Sequence, residues 1–120
     1  MQLDILEGTF AIAKLPPDSE IPAWARGGEF LSITSTADEL SIVSAAIPAS
    51  VECRRGWKCL KVRGPLDFSW TGILASIAAP LAQASIPIFA ISTFDTDYIL
   101  IFESDLARAV AALGAAGHSI

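Results

Sequence analysis

Apolar and polar side chains alternate in two short segments of the first half of the chain. Residues 30–35 and 40–44 both show this alternation, and the polar residues 36–39 lie between them. A period of two around a polar turn is typical of a β-hairpin with one buried face. Residues 45–52, which follow, show no clear period, and a short helix is one interpretation of them.

The chain before this hairpin combines extended segments with a stretch rich in helix-breaking residues. Apolar residues at 3–6 and 9–15 flank a Glu-Gly pair, which predicts either one bulged strand or a tight hairpin. Residues 16–28 contain three Pro and two Gly and leave room for only a short turn around residues 22–26. Trp24 is expected to cover the core there.

A strand and a helix are predicted next. Residues 57–63 alternate with period two and predict a strand whose basic side chains point outward. Residues 69–84 carry apolar side chains at helical spacing, with Asp67 or Ser69 available as the N-cap. Pro80 removes one backbone donor within this helix and predicts a kink.

The last third of the chain predicts a second hairpin and a second helix. Residues 86–92 and 98–102 are continuous apolar runs, short enough for strands and apolar enough for central ones. Ser104 is placed to cap a helix with an apolar stripe. Gly117 suits the position after that helix, and residues 118–120 add a stub of strand. The stripe consists of Leu106, Val110 and Leu113.

An internal repeat relates the two halves. Residues 33–43 align with residues 91–101 without a gap, and both segments are predicted hairpins of similar composition. The spacing before them differs, because 17 positions separate Pro16 from Ile33 whereas 26 separate Pro65 from Ile91. The missing length is about that of one helix.

These elements predict an α+β chain of two related modules, a degenerate one at residues 1–60 and a complete one at residues 61–120. The second half has the order β-α-β-β-α, and the first half has the same order with its first helix reduced to a turn. A β-α-β-β-α-β unit is ferredoxin-like. The expected architecture is therefore a tandem pair of ferredoxin-like (βαββαβ) modules.

Composition limits the partners. Hydrophobic residues make up 52% of the chain and charged residues only 18%, so apolar surface is expected between subunits, most simply in a two-fold homodimer. The net charge of −5 argues against nucleic acid as a partner. No apolar run approaches the roughly 20 residues of a membrane helix, and the acidic start lacks the basic region of a signal peptide. A cytoplasmic protein without a membrane span is expected.

Residue types that usually carry catalysis or bind metals are sparse. Cys53 and Cys59 have no second cysteine pair, and His118 is the single histidine, so no four-ligand zinc site is expected. Reduced thiols are the prediction, with a redox disulfide as the alternative. His118 lies near the C-terminus, where a frayed chain is expected, and no third group is placed to orient it beside a nucleophile. The sequence therefore predicts neither an enzyme nor a cofactor.

Two segments have features of a ligand site. Residues 64–72 lead from a strand into a helix, whose free N–H groups favour an anion; a turn and close packing explain the Gly residues equally well. Asp95 and Asp97 lie two positions apart, so in extended chain both carboxylates share a side and, with Thr93, are able to hold an ammonium group. Alternatively, the two carboxylates cap the turn by bonding backbone N–H groups.

Several motifs resemble the CASTOR-related ACT-domain family. They are Gly64-Pro-Leu-Asp-Phe-Ser-Trp-Thr-Gly-Ile-Leu74, Ala79-Pro-Leu81, Ile86-Pro-Ile88 and Ile91-Ser-Thr-Phe-Asp-Thr-Asp-Tyr-Ile-Leu100. The first half, with Ile21-Pro-Ala-Trp24 and Glu39-Leu-Ser-Ile-Val43, is similar to the shortened leading ACT module of small bacterial members. The resemblance implies tandem ACT modules, commonly dimeric, that bind amino acids or other small effectors at module interfaces.

The resemblance also implies a binding site, which in the animal arginine sensors of this family lies against the loop entering the first helix and the Ser-Thr-Phe turn. The matching positions are Ser69 and Gly72 in the loop and Thr93, Phe94 and Asp97 in the turn. The sensors carry acidic residues where this chain has Ser69 and Trp70. A planar guanidinium prefers carboxylates, whereas Trp70 offers a π-face for a different side chain or for a subunit contact.

The expected function is regulatory and non-catalytic. A small molecule, most simply an amino acid, is expected to bind at a module or subunit interface and to bias association. The alternative is a protein interaction and assembly module without a small-molecule ligand.

Overall fold

The computed structural model, which describes residues 1–67 and 69–120, contains seven β-strands and two α-helices in those residues. Contacts divide the chain into two compact units. The two-helix unit comprises Met1–Glu7 and Lys58–Ile120, and the strand unit comprises Gly8–Trp57. In chain order the elements are β1 (Leu3–Ile5), β2 (Phe10–Leu15), β3 (Ser32–Ser35), β4 (Leu40–Ser44), β5 (Cys53–Val62), α1 (Ile73–Gln83), β6 (Ile88–Ser92), β7 (Asp97–Phe102) and α2 (Leu106–Ala115).

The two-helix unit has the predicted β-α-β-β-α order and a ferredoxin-like strand order of β6-β7-β5, with β1 also paired to β5. The fourth strand position is filled by β1, which pairs antiparallel with β5 from Leu3↔Val62 to Ile5↔Leu60. The predicted C-terminal stub is a single parallel bridge between Gln2 and Ser119. The N-terminal segment Met1–Glu7 therefore supplies a strand to the unit whose other elements all lie in Lys58–Ile120.

The β6–β7 hairpin is confirmed, with one correction. Its register runs from Ile88↔Ile101 to Ser92↔Asp97, and β7 lies between β5 and β6 as a central strand should. β6 ends the strand order and leaves Ala90 exposed, so the prediction of two central strands is wrong for β6. Its apolar character suits an edge strand whose Ile side chains are half-buried.

One hydrophobic core holds the two helices against the sheet of this unit. Ile99 and Ile101 of β7 and Leu60 and Val62 of β5 are fully buried in it. Each such side chain contributes about 1.5–3 kcal/mol when removed from water. The helices supply Ile77, Leu81, Ala109 and Leu113, also fully buried. This packing sets where α1 begins relative to the strands.

Both predicted helix starts are displaced. α1 begins at Ile73, and its N-cap is Gly72 in the left-handed conformation, with φ 77° and no side-chain cap. Neither Asp67 nor Ser69 is therefore the N-cap. The two residues lie in the preceding loop, where Ser69 donates to the carboxylate of Asp67. The kink predicted at Pro80, which lies inside α1, stays a prediction.

The second helix also begins later than predicted. A 3-10 turn at Glu103–Asp105 precedes α2, so Asp105 occupies the N-cap position and Ser104 does not cap the helix. At the other end Gly117 has φ 95°, as predicted for the residue after a helix. The His118 N–H donates to the Leu113 carbonyl at 3.0 Å, which closes the helix end.

The strand unit has the order β3-β4-β2 followed by the first half of β5, with the predicted β3–β4 hairpin. A 3-10 turn at Ala23–Arg26 replaces the first helix, as predicted, and Trp24 packs against the core of this unit. β1 and β2 do not pair with each other, so the tight hairpin predicted for residues 3–6 and 9–15 is wrong. Both strands pair antiparallel with β5 and the register shifts along it, as the alternative of one bulged strand predicted.

Residues 45–52 form turns, so the short helix suggested there is wrong. The Arg55 guanidinium donates to the Ile47 carbonyl at 3.0 Å and to the Pro48 carbonyl at 2.7 Å. Pro48 has no N–H to donate within a helix. The carbonyls of Ile47 and Pro48, which would accept bonds within a helix, accept instead from Arg55 of β5.

The hairpin repeat is real, but the ungapped alignment is wrong by one position. Ser35 pairs with Leu40 in one hairpin and Ser92 with Asp97 in the other, so the structural offset is 57 rather than 58. The turns agree with this offset, since the Thr36 and Thr93 hydroxyls each donate to the carbonyl three residues on. A shift of one residue would place every side chain on the opposite face of its strand.

Cys53 and Cys59 are free thiols on β5. Burial raises the pKa of the Cys59 thiol to about 12, so it is protonated and unreactive at neutral pH. Neither helix in the described parts of the chain is long and apolar enough to cross a bilayer. The division into modules at residues 1–60 and 61–120 stays a prediction. The modules are defined by the order of their strands and helices, whereas the two compact units are defined by contacts between residues.

Replacing Gly117 by Ala is expected to lower the free energy of unfolding by about 1 kcal/mol, because a Cβ is disfavoured at positive φ. The matched control is Gly114→Ala inside α2. An added Cβ meets nothing within 4 Å at either position, so only the backbone conformation differs. Gly114→Ala should raise the free energy of unfolding by up to about 1 kcal/mol. Urea denaturation compares the two, and effects of the same sign would contradict the left-handed helix end.

Candidate functional site

A cavity of about 290 Å³ opens at one end of the two-helix unit. The loop before α1, the first turn of α1 and the turn of the β6–β7 hairpin form its walls. The lining residues are Leu66, Asp67, Trp70, Gly72, Ile73, Leu74, Ser92, Thr93, Phe94, Asp95, Thr96 and Asp97.

Strand periodicity places Asp97 at this cavity. Ile101, Ile99 and Asp97 are two residues apart on β7, so their side chains share one face. The two isoleucines pack in the core with the helices, and Asp97 continues that face beyond the core. Ser92 is its partner in the hairpin register, and the Ser92 hydroxyl donates to Oδ1 of Asp97 at 2.5 Å.

The turn of this hairpin is held by hydroxyl groups. The Thr93 hydroxyl donates to the Thr96 carbonyl at 3.0 Å and accepts from the Thr96 N–H at 3.3 Å. Thr93 therefore caps the turn, a role that one interpretation gave to Asp95 and Asp97. Thr96 is buried, and its hydroxyl donates to the Val62 carbonyl of β5 at 2.5 Å.

The loop before α1 is joined to this turn. The Leu66 N–H donates to the Asp95 carbonyl at 2.7 Å, which connects the two walls of the cavity. Asp67 accepts from the Ser69 N–H and from the Ser69 hydroxyl, both at 2.8 Å. These two bonds, the backbone one first, hold the pKa of Asp67 below its ordinary value. Asp67 therefore presents a charged carboxylate to the cavity at neutral pH.

The first turn of α1 supplies hydrogen-bond donors to the same cavity. The first intrahelical bond runs from the Ser76 N–H to the Gly72 carbonyl at 2.8 Å. The N–H groups of Ile73 and Leu74 therefore have no acceptor within the helix. Gly72 has no side chain to cover them, and all three residues line the cavity.

Four of the five predicted site residues line this cavity, namely Gly72, Thr93, Phe94 and Asp97. Ser69 does not line the cavity, but its N–H and its hydroxyl donate to the carboxylate of Asp67, which does. Sequence reasoning missed Asp67 and Ser92 as site residues. An Asp two positions before a Ser is a signal for a local loop of the kind seen at Asp67, but the pairing of Ser92 with Asp97 depends on the hairpin register.

His118 is ordered rather than frayed. Its Nε2 lies 2.9 Å from the Ser76 carbonyl oxygen and its Nδ1 lies 3.0 Å from the Met1 amino group. Both ring nitrogens therefore have backbone partners. Across residues 1–67 and 69–120, no group of three or more His, Cys, Asp or Glu side chains is arranged to hold a metal ion. Phe68, part of the predicted loop, lies outside the described residues.

Replacing Ser69 by Ala is expected to raise the pKa of Asp67, because one of its two hydrogen bonds is lost and the backbone bond remains. Because the pKa of Asp67 is lowered in the folded state, these bonds stabilise the fold fully above the ordinary pKa of Asp. That stabilisation is lost as the pH falls through the folded-state pKa. Carbon-13 NMR titration of the Asp67 carboxyl measures the shift. Ser76→Ala, which removes a hydroxyl bonded to the Ile73 carbonyl, is the control and should leave the Asp67 titration unchanged. Identical titrations of Asp67 in all three proteins would contradict this role of Ser69.

Comparison with known proteins places this geometry in a family. A family model described as ACT domain matches residues 52–115, and the model of an N-terminal domain matches residues 8–49. The human protein named "Cytosolic arginine sensor for mTORC1 subunit 1" is 40% identical over 58 residues, which are 48% of this chain and 18% of that protein. The human "Putative protein CASTOR3P" is 33% identical over 104 residues, which are 81% of this chain and 56% of that protein.

A solved structure extends the similarity over nearly the whole chain. Protein Atu0741 from Agobacterium tumefaciens is 48% identical, with a TM-score of 0.93 over 98% of this chain and 90% of that one. The chain spans less than a fifth of the arginine sensor and about half of CASTOR3P. The ACT-domain match covers more than half of the chain and includes every residue that lines the cavity. This chain therefore belongs to the ACT-domain family and is a CASTOR-related member of it.

Proposed function

We propose that this chain is a regulatory, non-catalytic module that binds a free amino acid in the cavity of the two-helix unit. Hydrogen-bond donors and acceptors line one cavity, and this observation supports the proposal. The first turn of α1 contributes the N–H groups of Ile73 and Leu74, and the β6–β7 hairpin contributes the carboxylate of Asp97. An α-amino acid needs donors for its carboxylate and acceptors for its ammonium group.

The start of α1 suits the carboxylate of such a ligand. Free N–H groups and a partial positive charge of about half a unit at a helix N-terminus favour an anion. Gly72 allows the ligand to approach these groups closely because it has no side chain. The cavity volume of about 290 Å³ is at the lower end of ligand pockets, which begin at about 300 Å³, so it fits a small ligand.

The acidic side chains of the cavity lining suit a positive charge. Asp67, Asp95 and Asp97 all line the cavity, and none of the lining residues is basic. A field of this sign attracts the ammonium group of an amino acid and repels ligands that are only anionic. The equivalent of Asp97 in the strand unit is Leu40, which is 3% exposed and part of that unit's core. Ligand binding is accordingly assigned to the two-helix unit.

Two aromatic side chains at the cavity connect ligand binding to assembly. Trp70 is 56% exposed and Phe94 is 78% exposed, although both line the cavity. Exposed aromatic groups beside a polar site suit a ligand side chain or a protein interface. We propose that a second copy of the chain covers this surface, so that the amino acid biases a homodimer.

The ring of His118 supports a non-catalytic role. General base catalysis needs a ring nitrogen within reach of a nucleophile, whereas both nitrogens of His118 have backbone partners. The relatives support the regulatory role, since one of them is named an arginine sensor. The alternative is an assembly module without a ligand, and the exposure of Trp70 and Phe94 is the observation that favours it.

A thermal-shift screen against the proteinogenic amino acids at millimolar concentration is expected to identify at least one that raises the melting temperature. A ligand at ten times its Kd adds about 1.4 kcal/mol, which is a shift of several degrees for a chain of this size. Asp97→Asn should weaken that ligand at least tenfold, because a hydrogen bond to a charged group contributes about 1.5–3 kcal/mol. Isothermal titration calorimetry measures the affinity.

Asp38→Asn is the matched control, because Asp38 lies in the equivalent turn of the strand unit and should not affect binding. The absence of a shift with any amino acid would reject ligand binding. If Trp70→Ala and Phe94→Ala then weakened the dimer in sedimentation equilibrium, the assembly alternative would stand.

A further inference from the structure

We propose that Thr96 is a positioning residue. Its buried hydroxyl fixes the turn of the β6–β7 hairpin against the end of β5 and the loop before α1, in a close contact that the missing side chain of Gly64 permits. The cavity is then formed before any ligand enters it. The geometric part of the proposal is testable without a ligand, and the part that concerns affinity rests on the proposed function.

The Thr96 hydroxyl takes the place of a hydrogen bond between strands. β7 begins at Asp97, and the side chain just before it donates to the Val62 carbonyl, at the end of β5, at 2.5 Å. The N–H of the same peptide unit, that of Arg63, donates to the Gln2 carbonyl at 2.8 Å. The C=O and N–H of a trans peptide point in opposite directions. This peptide unit is therefore held on both sides, and the turn is joined to it.

Closing the turn does not require this hydroxyl. The equivalent turn of the strand unit has Glu39 at the position of Thr96. The Thr36 N–H donates to the Glu39 carbonyl at 3.0 Å, and the Thr93 N–H donates to the carbonyl of its own turn at 2.8 Å. Both turns therefore close through the same backbone bond with different side chains at this position. The hydroxyl of Thr96 accordingly serves the connection to β5.

Gly64 brings the loop into contact with the turn. A Cβ at this position would lie 3.0 Å from the Asp95 carbonyl oxygen and 3.3 Å from Cβ of Thr96. Both distances are shorter than an ordinary van der Waals contact of about 3.5–4.0 Å. Two residues further on, the Leu66 N–H donates to the same Asp95 carbonyl at 2.7 Å. A side chain at residue 64 would therefore push apart the two segments that this bond joins.

These contacts fix the cavity at two points, Thr96 with Val62 and Leu66 with Asp95. A site whose segments are already ordered loses less conformational entropy on binding, which favours affinity. Removal of the Thr96 hydroxyl would leave the Val62 carbonyl without this partner and release the turn from β5. The turn would then no longer be fixed relative to the loop, and the bond from Leu66 to Asp95 is expected to break.

The test detects that bond directly in the full chain without ligand. NMR measures the scalar coupling across the hydrogen bond, between the Leu66 amide nitrogen and the Asp95 carbonyl carbon. Thr96→Val keeps the shape of the side chain, removes the hydroxyl and is expected to abolish the coupling. Thr96→Ser keeps the hydroxyl and should retain it. The coupling that reports turn closure, from the Thr93 nitrogen to the carbonyl carbon of residue 96, should persist in both variants.

Two further variants separate positioning from a general loss of stability. Ile101→Val removes one buried methyl group from the core of the same unit and should leave the coupling between Leu66 and Asp95 unchanged. Gly64→Ala places a Cβ between loop and turn and should abolish it, which provides a second test if Thr96→Val does not fold. A retained coupling in folded Thr96→Val or in Gly64→Ala, or a lost coupling in Thr96→Ser or Ile101→Val, would overturn the proposal.

The effect on affinity is tested with the thermal-shift screen of the proteinogenic amino acids. If release of the turn weakens binding about tenfold, an amino acid at about ten times its wild-type Kd should raise the melting temperature of Thr96→Val about a third as much as that of the wild type or Thr96→Ser. An equal rise in all three proteins would overturn the role of Thr96 in binding. If no amino acid stabilises the wild type, amino-acid binding is rejected, and the NMR couplings alone decide the role of Thr96.

Discussion

The register of the β6–β7 hairpin is the constraint on which both the core and the cavity of the two-helix unit depend. The hydroxyl of Thr93 closes the turn, and the turn sets the pair Ser92↔Asp97. From that pair, period two directs Ile99 and Ile101 into the core and Asp97 into the cavity. A slip of one residue would expose the isoleucines and remove the carboxylate, so stability and the proposed binding chemistry depend on the same hydrogen bonds.

The two walls of the cavity differ in chemistry because different elements form them. α1 is held by buried Ile77 and Leu81, which places its first turn, with unsatisfied N–H groups, at the end of the hairpin. The hairpin turn and the loop before α1 supply carboxylates, and the bond from Leu66 to Asp95 joins these two segments. Donors and acceptors therefore line the same cavity.

The two units show how a shared framework diverges in chemistry. Both have the same strand order and a turn closed by a Thr hydroxyl. In the strand unit a 3-10 turn replaces the first helix, and Leu40 replaces the equivalent of Asp97. That unit therefore lacks both the helix donors and the carboxylate, and its hairpin end serves packing.

Local sequence patterns predicted the two hairpins, the presence of both helices, the helix end at Gly117 and, through short motifs, the family. These features follow from local periodicity, from backbone preference at a glycine and from short motifs. Three features became apparent only from the folded chain: β1 completes the two-helix unit, α1 begins at Ile73, and Ser92 and Asp67 line the cavity. These features depend on packing and hydrogen bonds between segments that are far apart in the chain or paired across a hairpin. Periodicity reports which face of a segment is buried, but it does not report which segment lies opposite.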